Sequence, residues 1–436
     1  MNLSLSVYNY FIEWNNFHFG VNTLTGYKAF LTNDQYELLK EFPLNRAISL
    51  KFPTLYNQLK HAGFITANDV EFEFLKHRYL LGIYGNNGTY RLTIMPTLNC
   101  NLRCWYCYEH HSKSKMSPDT MRNIFRYVKY IIDTKNIRQL ELDWFGGEPM
   151  MYFNDIVYPL SMELIKLAKK NKIEFSNAIT TNGVLINKKQ INMLDEIKLY
   201  SYQITLDGCK EQHNKSRVRN YGDNTYDTII NNVRLLEQAL PKSQISIRVN
   251  FTNKTLENIK GLIDDLPKSD RISFCFQRIW QSRETEGESN AVNDDIKLYI
   301  ETRGNQFENN YFDYGKKYRC YADSCNQIVI NYDGKLYKCT ACDFEKDSKA
   351  CVGELQDDGI PIWNKSYYER LKIPFDNTKC KNCILAPVCF GTCSQHFYSG
   401  NFDASECNPS EKIKILKEDL YESLFEYISK HTKATQ

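Results

Sequence analysis

The chain has 436 residues, 42% hydrophobic and 25% charged, a balance that excludes a disordered polypeptide and leaves room for two or three domains. Its 55 basic and 52 acidic residues leave a net charge of +3, too small an excess to hold a polyanion, so no nucleic acid partner is expected. No apolar run reaches membrane-spanning length and the N-terminus lacks a basic region followed by an apolar core, so a cytoplasmic protein with no membrane partner is expected.

A reducing compartment keeps the 15 cysteines available to metals rather than to a disulfide framework. Three lie between 100 and 107, two are scattered at Cys209 and Cys275, and ten fall between Cys320 and Cys407. Two regions of thiol ligation separated by a cysteine-poor stretch suggest two metal-bearing domains.

In chain order, residues 1–90 contain no cysteine and read as a small domain. Alternation in Tyr8 to Trp14 and Phe17 to Val21, with Asn15-Asn16 between, predicts a hairpin. Short helices follow, one opened by Thr32 and one around Leu55 to Lys60 closed by Gly63. Hairpin and short helices together predict a winged-helix-like module that binds a peptide, whose edge strand accepts an added strand, or a domain that packs on its neighbour.

The next feature is Cys100-Asn-Leu-Arg-Cys104-Trp-Tyr-Cys107, directly after the apolar run that begins at Leu92. Thiolates suit iron-sulfur clusters or zinc, and a cubane of four irons takes four protein thiolates. Three thiols leave one iron open, as a site of chemistry requires, whereas a zinc loop would borrow a distant fourth ligand.

Strand-like runs recur at Arg91 to Met95, Gln139 to Phe145, Glu174 to Thr181, Tyr200 to Leu206, Gln244 to Phe251 and Arg271 to Ile279. Helical patterns separate them, at about 118–133, 155–170, 187–197, 225–240, 255–266 and 292–303. In the first, Ser117 suits the N-cap, Pro118 the first position, and Met121, Ile124, Phe125, Val128, Ile131 and Ile132 form one apolar stripe. Six strand-helix units predict an α/β fold, a parallel sheet curled into a partial (β/α)6 barrel with functional loops at the C-terminal strand ends. The cysteine loop follows the first strand, Gly146-Gly147-Glu148-Pro149 the second, Gly183 the third after Thr181-Asn182, and Asp207-Gly208 the fourth, with His213, Arg217 and Arg219 just beyond. Gln277, Arg278 and the loop 280–290 lie near the same mouth.

The C-terminal third is a second thiol array. Cys320-x4-Cys325 precedes Asn331 to Cys339, in which Asp333-Gly334 reads as a tight hairpin turn. Cys380-x2-Cys383-x5-Cys389-x3-Cys393-x13-Cys407 follows, a metal signature for which a pair of zinc sites is the alternative. Ile413, Leu416, Leu420, Leu424 and Ile428 predict a packing helix over about 410–430.

The Cys100, Cys104, Cys107 loop with its aromatic before the last cysteine, together with Gly146-Gly147-Glu148-Pro149 on the next unit, resembles the radical S-adenosylmethionine (radical SAM) superfamily. The later array resembles the SPASM extension of such enzymes. The resemblance implies a domain order of 1–90 for peptide recognition, 91–310 for the radical SAM partial barrel, 311–409 for SPASM and 410–436 for a terminal helix. It implies a 4Fe-4S cluster on the three thiols, with S-adenosylmethionine on the open iron. Tyr106 would contact adenine, Gly146, Gly147 and Glu148 the methionyl amine, Arg217 the methionyl carboxylate, and Thr181, Asn182 and Asp207 the ribose region. Two auxiliary 4Fe-4S clusters would use Cys320, Cys325, Cys339 and Cys393, and Cys380, Cys383, Cys389 and Cys407, for three clusters in all. Cys209 and Cys275 remain as core thiols, Cys351 is unassigned, and Cys342 competes with Cys325 as ligand. The cofactor would supply a 5′-deoxyadenosyl radical after one-electron reduction by a protein such as flavodoxin or ferredoxin.

By the same resemblance the substrate is a ribosomally made precursor peptide that gains a thioether, a carbon-carbon bond or a related crosslink. A second reading is an anaerobic sulfatase maturase that oxidises Cys or Ser to formylglycine. Such enzymes carry a basic Asp right after the cysteine matched by Cys339, where this chain has Thr340, with Asp343 displaced. A third, of another class, is an iron-sulfur binding or regulatory protein without catalysis.

Overall fold

The computed structural model describes residues 3–85, 88–219, 224–279, 292–308, 313–315, 319–345, 348–372, 375, 378–391, 393–395, 407 and 409–432. The loop 280–290 therefore lies outside the described residues. Two compact units do not follow chain order: one comprises Met1–Gly85, Asn310–Cys325 and Glu369–Gln436, the other Asn86–Asn309 and Asn326–Tyr368.

The larger unit holds the six predicted strands, β1 Thr89–Ile94, β2 Gln139–Trp144, β3 Glu174–Thr181, β4 Leu199–Thr205, β5 Gln244–Phe251 and β6 Ile272–Arg278. They pair in that order and all in parallel. Helices fall between them where the apolar stripes demand cover. In α1, Pro118–Lys135, the Ser117 side chain accepts from Thr120 N–H, Ile124, Val128 and Ile131 are buried, and left-handed Asn136 ends the helix. Tyr127, outside the predicted stripe, is buried too because its hydroxyl meets that of Tyr90 on β1.

Alternation then decides which side chains face the inside of the curl. On β5, Ile245, Ile247, Val249 and Phe251 are buried in the core shared with the helices, so Ser246, Arg248 and Asn250 face the other way. In a flat sheet β1 and β5 would stand about 19 Å apart at ~4.8 Å per strand. Yet Tyr106, in the loop after β1, bonds Asn250 on β5, so the sheet curls and its C-terminal ends converge.

The sheet does not stop at β1. The strand Gln327–Ile330 pairs parallel with β1 and continues into antiparallel Lys335–Tyr337, Cys351–Leu355 and Pro361–Trp363, making an eleven-stranded sheet with Gln306–Phe307 at the far edge. Residues that the sequence groups with the SPASM region thus extend the barrel sheet itself. The predicted turn is present: Gly334 has φ 83°, and its N–H bonds Asn331 C=O.

The smaller unit opens on an antiparallel meander, Asn9–Trp14, Phe17–Asn22 and Lys28–Thr32. Asn15 and Asn16 both take positive φ, the conformation a two-residue hairpin turn needs. Thr32 and Gln35 form a capping box on the helix Asn33–Lys40, and Gly63 at φ 83° follows the helix Pro53–His61. Two helices lock this segment to the distal chain. Leu75, Tyr79 and Ile83 of Asn68–Tyr84 pack with Phe375, Ala386 and Phe390, and Leu416, Leu420 and Leu424 of Ser410–Thr432 pack with Ile12, Phe19 and Val21.

Candidate active site

The cysteine loop is built from the end of β1. Thr97 Oγ1 donates to Ser114 C=O at 2.6 Å and accepts from Asn99 N–H at 2.9 Å, fixing the turn before Cys100. Cys100 is buried, Cys104 half-buried and Cys107 exposed. Leu102–Cys104 forms a short strand paired with Arg217–Arg219, which sets Arg217 directly opposite Cys104. Three sulfurs already sit among donors: Leu102 N–H is 3.4 Å and Asn182 Nδ2 3.7 Å from Cys100 Sγ, and His111 Nε2 is 3.3 Å from Cys107 Sγ, while Arg217 favours the Cys104 thiolate.

Burial opposes ionisation, pushing Cys100 up to about 12 and Cys104 upward; Cys107 is exposed as a residue, but the enclosure of its thiol pushes it up to about 11. Loading metal on this loop must therefore expel protons, with nearby N–H donors and the guanidinium compensating the thiolates. Among the described residues no three of His, Cys, Asp and Glu converge on one ion. A cubane asks for less convergence, because each thiolate takes a separate iron.

The Gly-Gly-Glu-Pro turn seats against this loop backbone to backbone. Gly147 N–H donates to Thr97 C=O at 3.1 Å and Glu148 N–H to Asn99 C=O at 2.9 Å. A Cβ on Gly146 would lie 2.4 Å from Thr97 O, and one on Gly147 2.2 Å from Asn99 O. Glycine is needed here first to admit the cysteine loop. Glu148 is fully buried and accepts from Met150 N–H at 2.9 Å, Thr181 Oγ1 at 2.7 Å and Asn182 N–H at 2.7 Å. Burial raises its pKa and these donors pull it back. Thr181 and Asn182 thus serve Glu148 and the cysteine loop, Asn182 Nδ2 also reaching Asn101 Oδ1 at 2.7 Å. A carboxylate has about four acceptor positions, so Glu148 retains capacity for one more donor.

On the opposite side the hydroxyl of buried Tyr106 donates to Asp207 and accepts from Arg217 Nη1 at 2.7 Å and Asn250 Nδ2 at 3.2 Å. Arg217 lies 3.8 Å from Asp207 and keeps a buried Nε with no partner among the described residues. His213 Nδ1 accepts from Asp207 N–H at 3.2 Å, which leaves its other nitrogen to donate to Thr225 Oγ1 at 2.9 Å. Burial and Arg217 hold this imidazole neutral, well below its usual pKa.

Asn250 and Glu109 were not legible beforehand. Asn250 lies one residue before the end of β5, within reach of the same strand-end rule that marked the other loops, but an isolated Asn carries no motif. Glu109 follows the loop in sequence; its Oε1 is enclosed without a partner among the described residues, and burial with neighbouring Asp343 pushes it up to about 8.

The later thiols divide between the units. In the smaller, Cys383 N–H bonds Cys380 C=O at 3.1 Å, Cys389 and Cys407 both bear electrostatically on Cys383, and Lys412 Nζ lies 3.1 Å from Cys389 Sγ. Cys320 and Cys393 are likewise coupled beside Arg319, and Cys325 N–H bonds Ile83 C=O at 2.8 Å. In the larger unit Cys339 Sγ accepts from Ala341 N–H at 3.3 Å, and Cys342 is buried in an apolar cluster with Met95, Leu98 and Tyr337. Cys209 and Cys275, expected as core thiols, are only half-buried; Cys275 lies on the inner face of β6 beside Gln277. Cys351 bonds Gly353 C=O at 3.3 Å, and Gln277 and Arg278 end β6.

The sequence that builds this site matches known families: residues 94–266 match the radical SAM superfamily and residues 320–384 the SPASM iron-sulfur cluster-binding domain. The chain carries a radical SAM domain followed by a SPASM domain. It is 25% identical over 348 residues to a cysteine-type anaerobic sulfatase-maturating enzyme of Clostridium perfringens, covering 73% of this chain and 92% of that one. It is 23% identical over 415 residues to the radical SAM cyclopropyl synthase TigE of Paramaledivibacter caminithermalis, covering 83% of each. Among solved structures it resembles native anSMEcpe with bound AdoMet and Cp18Cys peptide, at TM-score 0.56 and 20% identity over 80% of this chain and all of that one. It also resembles Streptococcus suis SuiB bound to precursor peptide SuiA, at TM-score 0.50 and 16% identity over 90% of this chain and 95% of that one. Both likenesses bear on the fold.

A radical SAM domain implies a SAM-binding 4Fe-4S cluster and S-adenosylmethionine, which together supply a carbon radical able to abstract hydrogen. The residues present fit that pair. Three soft sulfurs leave one iron open, Glu148 keeps an acceptor position for an ammonium, and the Nε of Arg217, without a partner among the described residues, keeps a donor for a carboxylate. This radical SAM enzyme is similar in sequence to a sulfatase-maturating enzyme and to a radical SAM cyclopropyl synthase. No helix among the described residues is long and apolar enough to cross a membrane.

Proposed function

We propose that this enzyme acts on a ribosomally made precursor peptide and installs a thioether, carbon-carbon or related oxidative crosslink. The observation that carries the reading is the joining of Cys100, Glu148 and the Tyr106–Asp207–Arg217 hub around one strand-end mouth. Glu148 and Arg217 orient the cofactor's amine and carboxylate, Tyr106 lines its adenine side, and the inner face of β5 and β6 presents the substrate. Cys320, Cys325, Cys339 and Cys393, and Cys380, Cys383, Cys389 and Cys407, would hold two auxiliary clusters, which would supply an acceptor for the electron left on the substrate, with a flavodoxin or ferredoxin as the reductant. The apolar seat of Cys342 favours Cys325 as ligand.

Peptide recognition is supported within the smaller unit. Among the described residues Lys28–Thr32 is the edge of its sheet, paired on one side only. Beside it lies a groove of about 570 Å³ lined by Ala29, Phe30, Leu55, Leu59 and, from the last helix, Glu426 and Tyr427. An extended leader segment added to that edge would use main-chain bonds for affinity and the groove for selection. The precursor peptide bound in the SuiB structure supports the same partner class.

Sulfatase maturation keeps one favourable observation: Asp343, although displaced from the position after Cys339, bonds His110 of the cysteine loop at 3.0 Å. Mass spectrometry of a small peptide encoded beside the enzyme, incubated with reductant and S-adenosylmethionine, separates the two. Loss of two hydrogens mapped to a bond between two residues is expected. Loss confined to a Cys or Ser of a sulfatase peptide, with the small peptide unchanged, would overturn the crosslinking reading.

A further inference from the structure

Arg248 lies on the inner face of β5, between buried Ile247 and Val249 that point to the helices. Its Nε donates to Asn250 Oδ1 at 3.0 Å, and Asn250 is itself held by Tyr106 and by Asp207. One nitrogen of the guanidinium is therefore fixed beside the cofactor hub. Its two terminal nitrogens have no protein partner among the described residues, and the side chain is half-buried. Tyr108 of the cysteine loop and Cys275 of β6 both feel its charge, which places it toward the mouth.

Other arginines facing this interior have counter-ions. Arg91 meets Glu141 at 2.7 Å and Asp143 at 3.7 Å, and Arg217 meets Asp207. Carboxylates near Arg248 are committed elsewhere, Asp207 to Tyr106 and Glu308 to Ser273 at 2.5 Å. A half-desolvated guanidinium with a free planar fork matches one ligand chemistry best, a carboxylate bound through two parallel N–H bonds.

We infer that Arg248 docks a carboxylate of the peptide substrate, from an Asp or Glu side chain or from the peptide's C-terminus, next to the residue under attack. This rests on the peptide reading above. It assigns the cofactor's carboxylate to Arg217 and makes Arg248 a determinant of peptide choice.

Arginine-selective labelling with phenylglyoxal tests it on the full-length, anaerobically reconstituted protein, with modification at Arg248 quantified by peptide mass spectrometry. Three probes separate the sources: N-acetylglutamic acid amide carries a side-chain carboxylate, N-acetylglutamine a terminal one, and N-acetylglutamine amide neither. Arg248 should label readily, and one or both carboxylate probes should slow it several-fold while the neutral amide does not, with ion-paired Arg91 unaffected throughout. Equal labelling with all three probes, or an Arg248 that never labels, would overturn the proposal. Protection by S-adenosylmethionine alone would also overturn it, by giving the site to the cofactor. Formation of 5′-deoxyadenosine by the same preparation reports separately on the enzyme reading.

Discussion

At the scale of single residues the site is a set of buried polar groups that satisfy one another with little to spare. Replacing Glu148 by Ala would strand the N–H groups of Met150 and Asn182 and the Thr181 hydroxyl, so an apparent loss of about 3 kcal/mol is expected in denaturant unfolding, with loss of S-adenosylmethionine binding. Tyr106→Phe removes the hydroxyl that bridges Arg217, Asn250 and Asp207, and roughly tenfold weaker cofactor binding by equilibrium dialysis is expected, about 1.4 kcal/mol. Glu71 offers a pH test away from the cofactor. Burial raises its pKa above 4.5 although Ser6 Oγ donates to it at 2.6 Å, so folding favours the protonated form. That contribution is fully present below pH 4.5 and is lost as pH rises through the folded-state pKa. Glu71→Gln should therefore melt higher than the parent at pH 7, with the gap closing in acid; a constant gap across the range would remove burial as the cause. The sequence made the metal ligands and Glu148 legible because each belongs to a motif. It left Asn250 and Arg248 unmarked, since their roles come from which face of β5 they occupy and from neighbours supplied by a loop after β1.

At the scale of elements, periodicity carried most of the larger unit. Six parallel strands and the Ser117-capped helix follow from two repeats and one capping residue. It did not reveal that Gln327–Ile330 joins β1, because a short apolar strand looks the same whichever partner it takes. Asn68–Tyr84 also went unread, although Leu75, Tyr79 and Ile83 are spaced by four; their packing partners, Phe375, Ala386 and Phe390, lie some three hundred residues away. The Gly-Gly turn gives a prediction at this scale. Gly147→Ala would put a methyl 2.2 Å from Asn99 O, so the cysteine loop must shift. Iron content should fall while far-ultraviolet circular dichroism stays near the parent's; full iron loading would show that the contact is dispensable.

At the scale of the whole molecule, the chain pairs a radical SAM barrel with a SPASM thiol array and carries a meander with an open edge and groove in the smaller unit. Eleven thiols assigned to three clusters predict about twelve irons per chain after anaerobic reconstitution, since each cubane holds four irons. Removing Cys383 and Cys389 together should cost one cluster's worth of iron and leave the absorbance of the rest. The central claim is that the three-thiol loop, steadied by Glu148 and Arg217, turns S-adenosylmethionine into a hydrogen-abstracting radical. It is tested most directly by measuring 5′-deoxyadenosine from S-adenosylmethionine with dithionite-reduced, fully reconstituted protein beside Cys100→Ala, Cys104→Ala and Cys107→Ala. The parent should form the nucleoside and each variant should not; no nucleoside from an iron-replete parent, or an equal yield from the variants, would contradict the account.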